Sequence, residues 1–178
     1  GTVCCALFDD SQLLNLNIRA YFGGGGGGHA NGGVSTRGRS ITIREFLDSS
    51  DLEVVYENLE KYGMAIYNGV PIIELSFMGD SGFSFGTIFL GPGAKNAETV
   101  KHEYGHTKQL ERLGLLRYTA CVVLPSLSAF WGGVPYDEYY SLPWEYGADL
   151  FGGVNRDGYS YHDNANEKFA FYWMLITR

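Results

Sequence analysis

The stretch His102-Glu103-Tyr104-Gly105-His106 constrains this chain more than any other. It lies in a run whose pattern predicts a helix from Asn96 to Leu113, with Gly114 to stop it. Residues four apart on a helix share one face, so both imidazoles can reach a single divalent ion. Glu103, one residue along, is then placed to work on a water beside that ion. Only four of the 178 residues are histidine and eleven are glutamate. Composition alone would produce this spacing roughly 0.005 times in such a chain, so two solvated histidines on a helix surface is the weaker reading.

A helix that buries such a face needs a core around it. The chain has the length of one domain and an apolar content of 45 %, enough for a sizeable core. Its formal net charge of −7 argues against nucleic acid and anionic membranes as main partners. Three cysteines, Cys4, Cys5 and Cys121, cannot all pair within one chain, and no C-x-x-C is present. They describe neither a disulfide framework nor a zinc knuckle.

Six consecutive glycines, Gly23 to Gly28, lose too much entropy on ordering to form a packed element. Without a following G-K-[ST] they do not read as a phosphate loop. Residues 1–39 are therefore expected to be a glycine-rich segment or joint, and residues 40–178 the folded domain. Within it, Ile41 to Leu47 reads as a short helix or turn. Ser50-Asp51-Leu52-Glu53 is a capping-box sequence opening a helix that Gly63 ends after Tyr62. Three β-like runs follow, Met64–Tyr67, Pro71–Met78 and Phe83–Leu90, separated by Asn-Gly and Gly-Asp-Ser-Gly turns.

Beyond the motif, Leu115 to Trp131 reads as a second helical region broken near Pro125. Tyr118 to Tyr136 carries no charge, and we expect it to be a helix buried behind the motif helix rather than a membrane segment. A tyrosine-rich loop leads to a helix with Pro143 in its first turn and Gly152-Gly153 at its end. Asn166 to Ile176 reads as a last helix. The fold class this order predicts is α+β, with a small twisted, mostly antiparallel sheet on the motif helix and further helices after it.

Catalytic zinc takes three protein ligands and leaves a fourth position for water. A metzincin would have Gly at position 109 and His at 112, where this chain has Gln109 and Arg112. The best third candidate is Glu145, which shares a helical face with Asp149 four residues on. Asp137, Glu138 and His162 are weaker candidates. His162 is also a candidate donor to a tetrahedral oxyanion, alongside Tyr139, Tyr140, Tyr159 and Tyr161. Gly79-Asp80-Ser81-Gly82 matches the tetrapeptide around a serine-protease nucleophile, but a glycine-rich turn accounts for it better.

Together, His102–His106 and Glu145-Tyr146-Gly147-Ala148-Asp149 resemble the gluzincin peptidases, whose third ligand is a helical glutamate in an E-x-x-x-D pattern. The resemblance implies a zincin-like fold and a bound Zn2+ held by His102, His106 and Glu145. It also implies Glu103 as general base, and Asp149 as the residue that holds a ligand histidine. The stretches 99–110 and 143–149 further resemble the metallopeptidase-like domains at the C-termini of bacterial Rhs-type polymorphic toxins. That likeness implies a peptide or protein substrate and an exported carrier upstream. Two other functions remain open: a zinc-binding interaction module without proteolysis, and a metal-dependent amidohydrolase acting on a non-protein amide.

Overall fold

The computed structural model describes residues 47–156 and 165–176. The glycine-rich segment, all but Leu47 of the short helix or turn expected over Ile41 to Leu47, and Tyr159, Tyr161 and His162 lie outside these residues.

The described chain is α+β. It opens with β1 (Asp48–Ser49) and α1 (Leu52–Tyr62). Asp51, not Ser50, caps α1: its carboxylate accepts the Glu53 N–H at 3.0 Å. A carboxylate at that position also meets the positive end of the helix dipole, which a serine hydroxyl does not. β2 (Met64–Tyr67) and β3 (Val70–Glu74) form a hairpin with Tyr67 opposite Val70. Its two-residue loop, Asn68-Gly69, has φ of 48° and 81°, the primed-turn geometry that Asn-Gly favours.

The expected run Pro71–Met78 ends early, in a 3-10 turn at Ser76–Met78. Gly79 to Gly82 form the turn into β4 (Gly82–Ser84). The run Phe83–Leu90 is likewise two strands, because the chain reverses at residues 85–87. β4 therefore pairs antiparallel with β5 (Ile88–Leu90), and β5 lies parallel to β3. The sheet order is β1-β2-β3-β5-β4, with β1 parallel to β2. The sheet is thus mixed, not mostly antiparallel: two hairpins meet along parallel strands, an arrangement that the apolar runs alone do not encode.

The motif helix, α2 (Ala97–Tyr118), is capped by Asn96, whose side chain accepts the Thr99 N–H at 2.9 Å. Regular helix breaks at Gly114, the stop that the sequence predicts. Gly114 takes φ 69° and ψ 166°, a kink that a side chain would strain, and helix resumes beyond it. A π-helical turn, Thr119–Val123, leads into α3 (Leu124–Trp131). Pro125 does not break the run. It sits in the first turn of α3, where its missing N–H is tolerated, and Leu124 N–H reaches back to the Thr119 carbonyl.

The expected burial of this region is wrong. No side chain of α3 is buried, and Leu116, Phe130 and Trp131 are largely exposed. Uncharged composition marked the segment as apolar but could not say which neighbours would cover it. The tyrosine-rich stretch is a short helix, α4 (Tyr136–Ser141), followed by α5 (Pro143–Gly152) and α6 (Ala165–Ile176).

Two apolar clusters flank the middle of α2. Val55, Leu59, Ile72, Ile88, Leu90 and Val100 pack α1 and the sheet on its first turns. Leu113, Tyr118, Val122, Phe171 and Leu175 join its far end to the π turn and α6. Between them, His102, Glu103, His106 and Gln109 form a buried polar stretch.

Candidate metal centre

Close backbone approach brings the second half of the centre to α2. A Cβ on Gly105 would overlap the Ala148 carbonyl of α5, and a Cβ on Gly152 would overlap the Lys101 carbonyl of α2. The two helices meet where neither has a side chain to hold them apart. Glu145 and Asp149, one turn apart on α5, then face His102 and His106.

The contacts define the protonation of the ring nitrogens. His102 Nδ1–H donates to Asp149 Oδ1 at 2.7 Å, and His106 Nδ1–H donates to Gln109 Oε1 at 2.8 Å. Gln109 is held in that orientation because its amide N–H donates to the Trp144 carbonyl at 2.7 Å. With both protons on Nδ1, each Nε2 presents a lone pair. Both lone pairs point at the same carboxylate oxygen: Glu145 Oε2 lies 3.1 Å from His102 Nε2 and 3.2 Å from His106 Nε2. Three acceptors that converge in a buried place repel one another unless a cation lies among them.

The separations suit a metal ion. Ligands at the zinc bond lengths of about 2.0–2.2 Å lie roughly 3.3 Å apart along a tetrahedral edge. Buried His102, His106 and Glu145 offer ligand atoms all within 4.8 Å of one another and could hold such an ion. A second proton could serve instead. Burial lowers the pKa of His102, but hydrogen bonds to Asp149 and Glu145 outweigh it and raise the value to about 10. Burial pushes Glu145 up, yet the two histidines outweigh it and hold the carboxyl well below the usual range.

Glu103 is different. Burial raises its pKa, and its Oε2 is a buried oxygen without a hydrogen-bond partner among the described residues. A Cβ at Gly82, on β4, the edge strand among the described residues, would lie 3.1 Å from Glu103 Oε1. Ser84, at the other end of β4, donates from its hydroxyl to the Glu103 carbonyl at 2.9 Å. The edge of the sheet therefore runs beside this carboxylate.

Four residues with no motif behind them complete the surroundings. Arg156 is buried and donates to Asp149 through Nε at 2.8 Å and through its terminal nitrogen at 3.2 Å. It also reaches Glu98 at 3.4 Å and stacks on Tyr140, 3.8 Å from the ring centre. Ser126 of α3 donates to Glu145 Oε1, and Tyr139 of α4 lies beside both. Tyr140 packs edge-on against His102, with ring centres 5.1 Å apart. Burial, reinforced by Glu145, raises the pKa of the Tyr139 phenol, which keeps it a neutral donor. Gln109 was visible in the sequence only as the wrong residue for a metzincin. Ser126 and Arg156 carried no spacing signal at all. Asp137 and Glu138 lie exposed on α4, outside the cluster. No protein-family model, curated protein or solved structure matches the chain.

Proposed function

We propose that the chain is a zinc-dependent endopeptidase of the gluzincin type, with His102, His106 and Glu145 as the metal ligands. The observation that carries this reading is the convergence of three buried lone-pair donors beside Glu103, whose carboxylate has an unpartnered oxygen. Two histidines and one carboxylate suit zinc better than the harder, all-oxygen-seeking magnesium or calcium. Zinc bound there supplies Lewis acidity to a scissile carbonyl and brings the pKa of a water toward neutrality.

The chain's own residues do the rest. Glu103 takes the proton from the attacking water and later passes it to the leaving amine; a raised pKa brings it nearer the working pH for both steps. Asp149 and Gln109 fix the ring orientations and tautomers of the two histidines. Tyr139, a neutral O–H donor next to Glu145, is the best-placed described candidate to stabilise an oxyanion. An extended peptide pairing with β4, an edge strand, would run past Glu103.

A second reading has an observation of its own. Ser126 donates to Glu145, and His102 and Glu103 are only 4 % and 5 % exposed, as in a closed metal site with no catalytic role. One experiment separates the two. Metal content is measured by mass for wild type and Glu103→Gln, and both are run against a peptide library. The peptidase reading expects one zinc per chain in both proteins and a loss of cleavage of about 10²–10⁴-fold in the variant. Equal cleavage by both, or no cleavage by zinc-loaded wild type, sinks it.

A further inference from the structure

The helical run over residues 97–131 is long and apolar enough to cross a membrane by length and composition. Two ordinary explanations for such a run fail here. A core helix would be mostly buried, yet only 17 % of its apolar window is. A signal sequence would lie near the N-terminus, and this run does not. From Tyr118 to Tyr136 there is no Asp, Glu, Lys, Arg or His, and the charges that bound the stretch are Arg117 and Asp137.

The exposed large apolar side chains are Leu115, Leu116, Leu124, Leu127, Phe130 and Trp131, with Arg117, Ala120 and Ser128 exposed among them. Leu116 is 84 % exposed and Trp131 77 %, far beyond the scattered single leucines of an ordinary surface. We propose that this arm, residues 115–131, docks on a lipid surface with neutral headgroups. A protein interface of useful size is a mosaic of apolar and hydrogen-bonding groups with a charged rim. A helix of leucine, phenylalanine and tryptophan whose single charge, Arg117, lies near its first end instead matches the boundary between headgroups and acyl chains. Trp131, an amphipathic ring at the end of the arm, suits that boundary. The net charge of −7 directs the arm to zwitterionic rather than anionic lipid.

The arm lies on the bilayer and does not cross it. Tyr118 and Val122 are buried against Leu113, Phe171 and Leu175, and Ser126 is hydrogen-bonded to Glu145. Its inner side thus stays on the domain while its outer side meets lipid. Docking would hold the metal centre beside the membrane surface, because Ser126 touches one of its ligands.

The test is flotation of the full chain with phosphatidylcholine vesicles, next to the variant Leu116→Glu/Phe130→Glu/Trp131→Glu. All three positions are exposed, and zinc content together with the thermal midpoint reports whether the variant folds. The expected result is vesicle binding by wild type, at least tenfold weaker binding by a folded variant, and unchanged binding by Glu103→Gln. The last arm keeps this outcome separate from the peptidase reading. Absence of binding to neutral vesicles overturns the proposal, as does binding that needs anionic lipid. So does a wild-type dimer that the variant converts to monomer, which would make a second copy the occupant. Protection of Leu116, Phe130 and Trp131 from hydroxyl-radical labelling in the lipid-free full chain would mean that another part of the chain covers the arm, and also overturns it. If the triple variant fails to fold, Leu116→Ser and Trp131→Ser singly replace it, each expected to weaken binding; undiminished binding by both overturns the proposal.

Discussion

Asp149 and Gln109 accept the Nδ1 protons of the two motif histidines, but only one of them is charged. Asp149 is also the partner of buried Arg156, so a single carboxylate orients a ligand and neutralises a cation. Asp149→Asn keeps an acceptor for His102 and removes the charge. Metal affinity should fall about 10–100-fold, read by competition against a chromophoric chelator. The metal-free variant should also lose about 3 kcal/mol in denaturant unfolding, since buried Arg156 loses its nearest counter-charge and keeps only exposed Glu98 at 3.4 Å. Gln109→Leu removes an acceptor without stranding an ion, so it should weaken metal binding with a smaller stability loss. Equal behaviour of the two variants would show that the charge on Asp149 is irrelevant.

Among the elements, the pair α2 and α5 decides whether a centre exists. Gly105 occupies a variable position of the motif, and nothing in the pattern of ligands asks for it. Its reason is the Ala148 carbonyl, which a Cβ would overlap. Gly105→Ala should push the helices apart, destabilising the fold by about 1–3 kcal/mol and carrying Glu145 away from the histidines. Metal affinity should drop although every ligand is intact, and chemical denaturation with metal titration on the same samples checks both effects. A variant that folds and binds metal like wild type would mean that the helix contact has slack. Gly152, against the Lys101 carbonyl, makes the same argument from the opposite helix.

Across the whole molecule, the buried charges set how stability depends on pH. The folded pKa of His102, about 10, lies above its ordinary value, so its contribution is complete below about pH 6.5 and lost as pH rises through 10. Glu145 is held low, so its contribution is present above the ordinary carboxylate pKa and lost only as pH falls well below it. Glu103 is held high by burial, and forcing it to ionise opposes folding as pH rises. Chelator-treated protein should therefore melt at a higher temperature near pH 6 than near pH 9. Metal binding takes the second proton off His102, so the gap between metal-loaded and chelated samples should widen over the same range. At a free metal concentration of 1,000 times Kd the added stability is about 4 kcal/mol, within reach of calorimetry. A gap that stays constant with pH would rule out a His102 proton in competition with the ion.

Much of this protein is local, and local features are legible in a sequence. The helix under His102–His106, the Asn68-Gly69 hairpin, the Gly63 stop and the Pro143 start each follow from side chains acting on their own backbone. Glu145 and Asp149 could be named together because a four-residue spacing is also local. What the sequence could not supply is anything that depends on which distant surfaces meet. The parallel contact of β3 with β5, the reach of Ser126 and Arg156 to the carboxylates, and the role of Gly105 arise between segments far apart in the chain. The arm at 115–131 marks the division most clearly: composition determines that it is apolar, but burial is a relation between surfaces, and only the tertiary structure decided that nothing among the described residues covers its outer side.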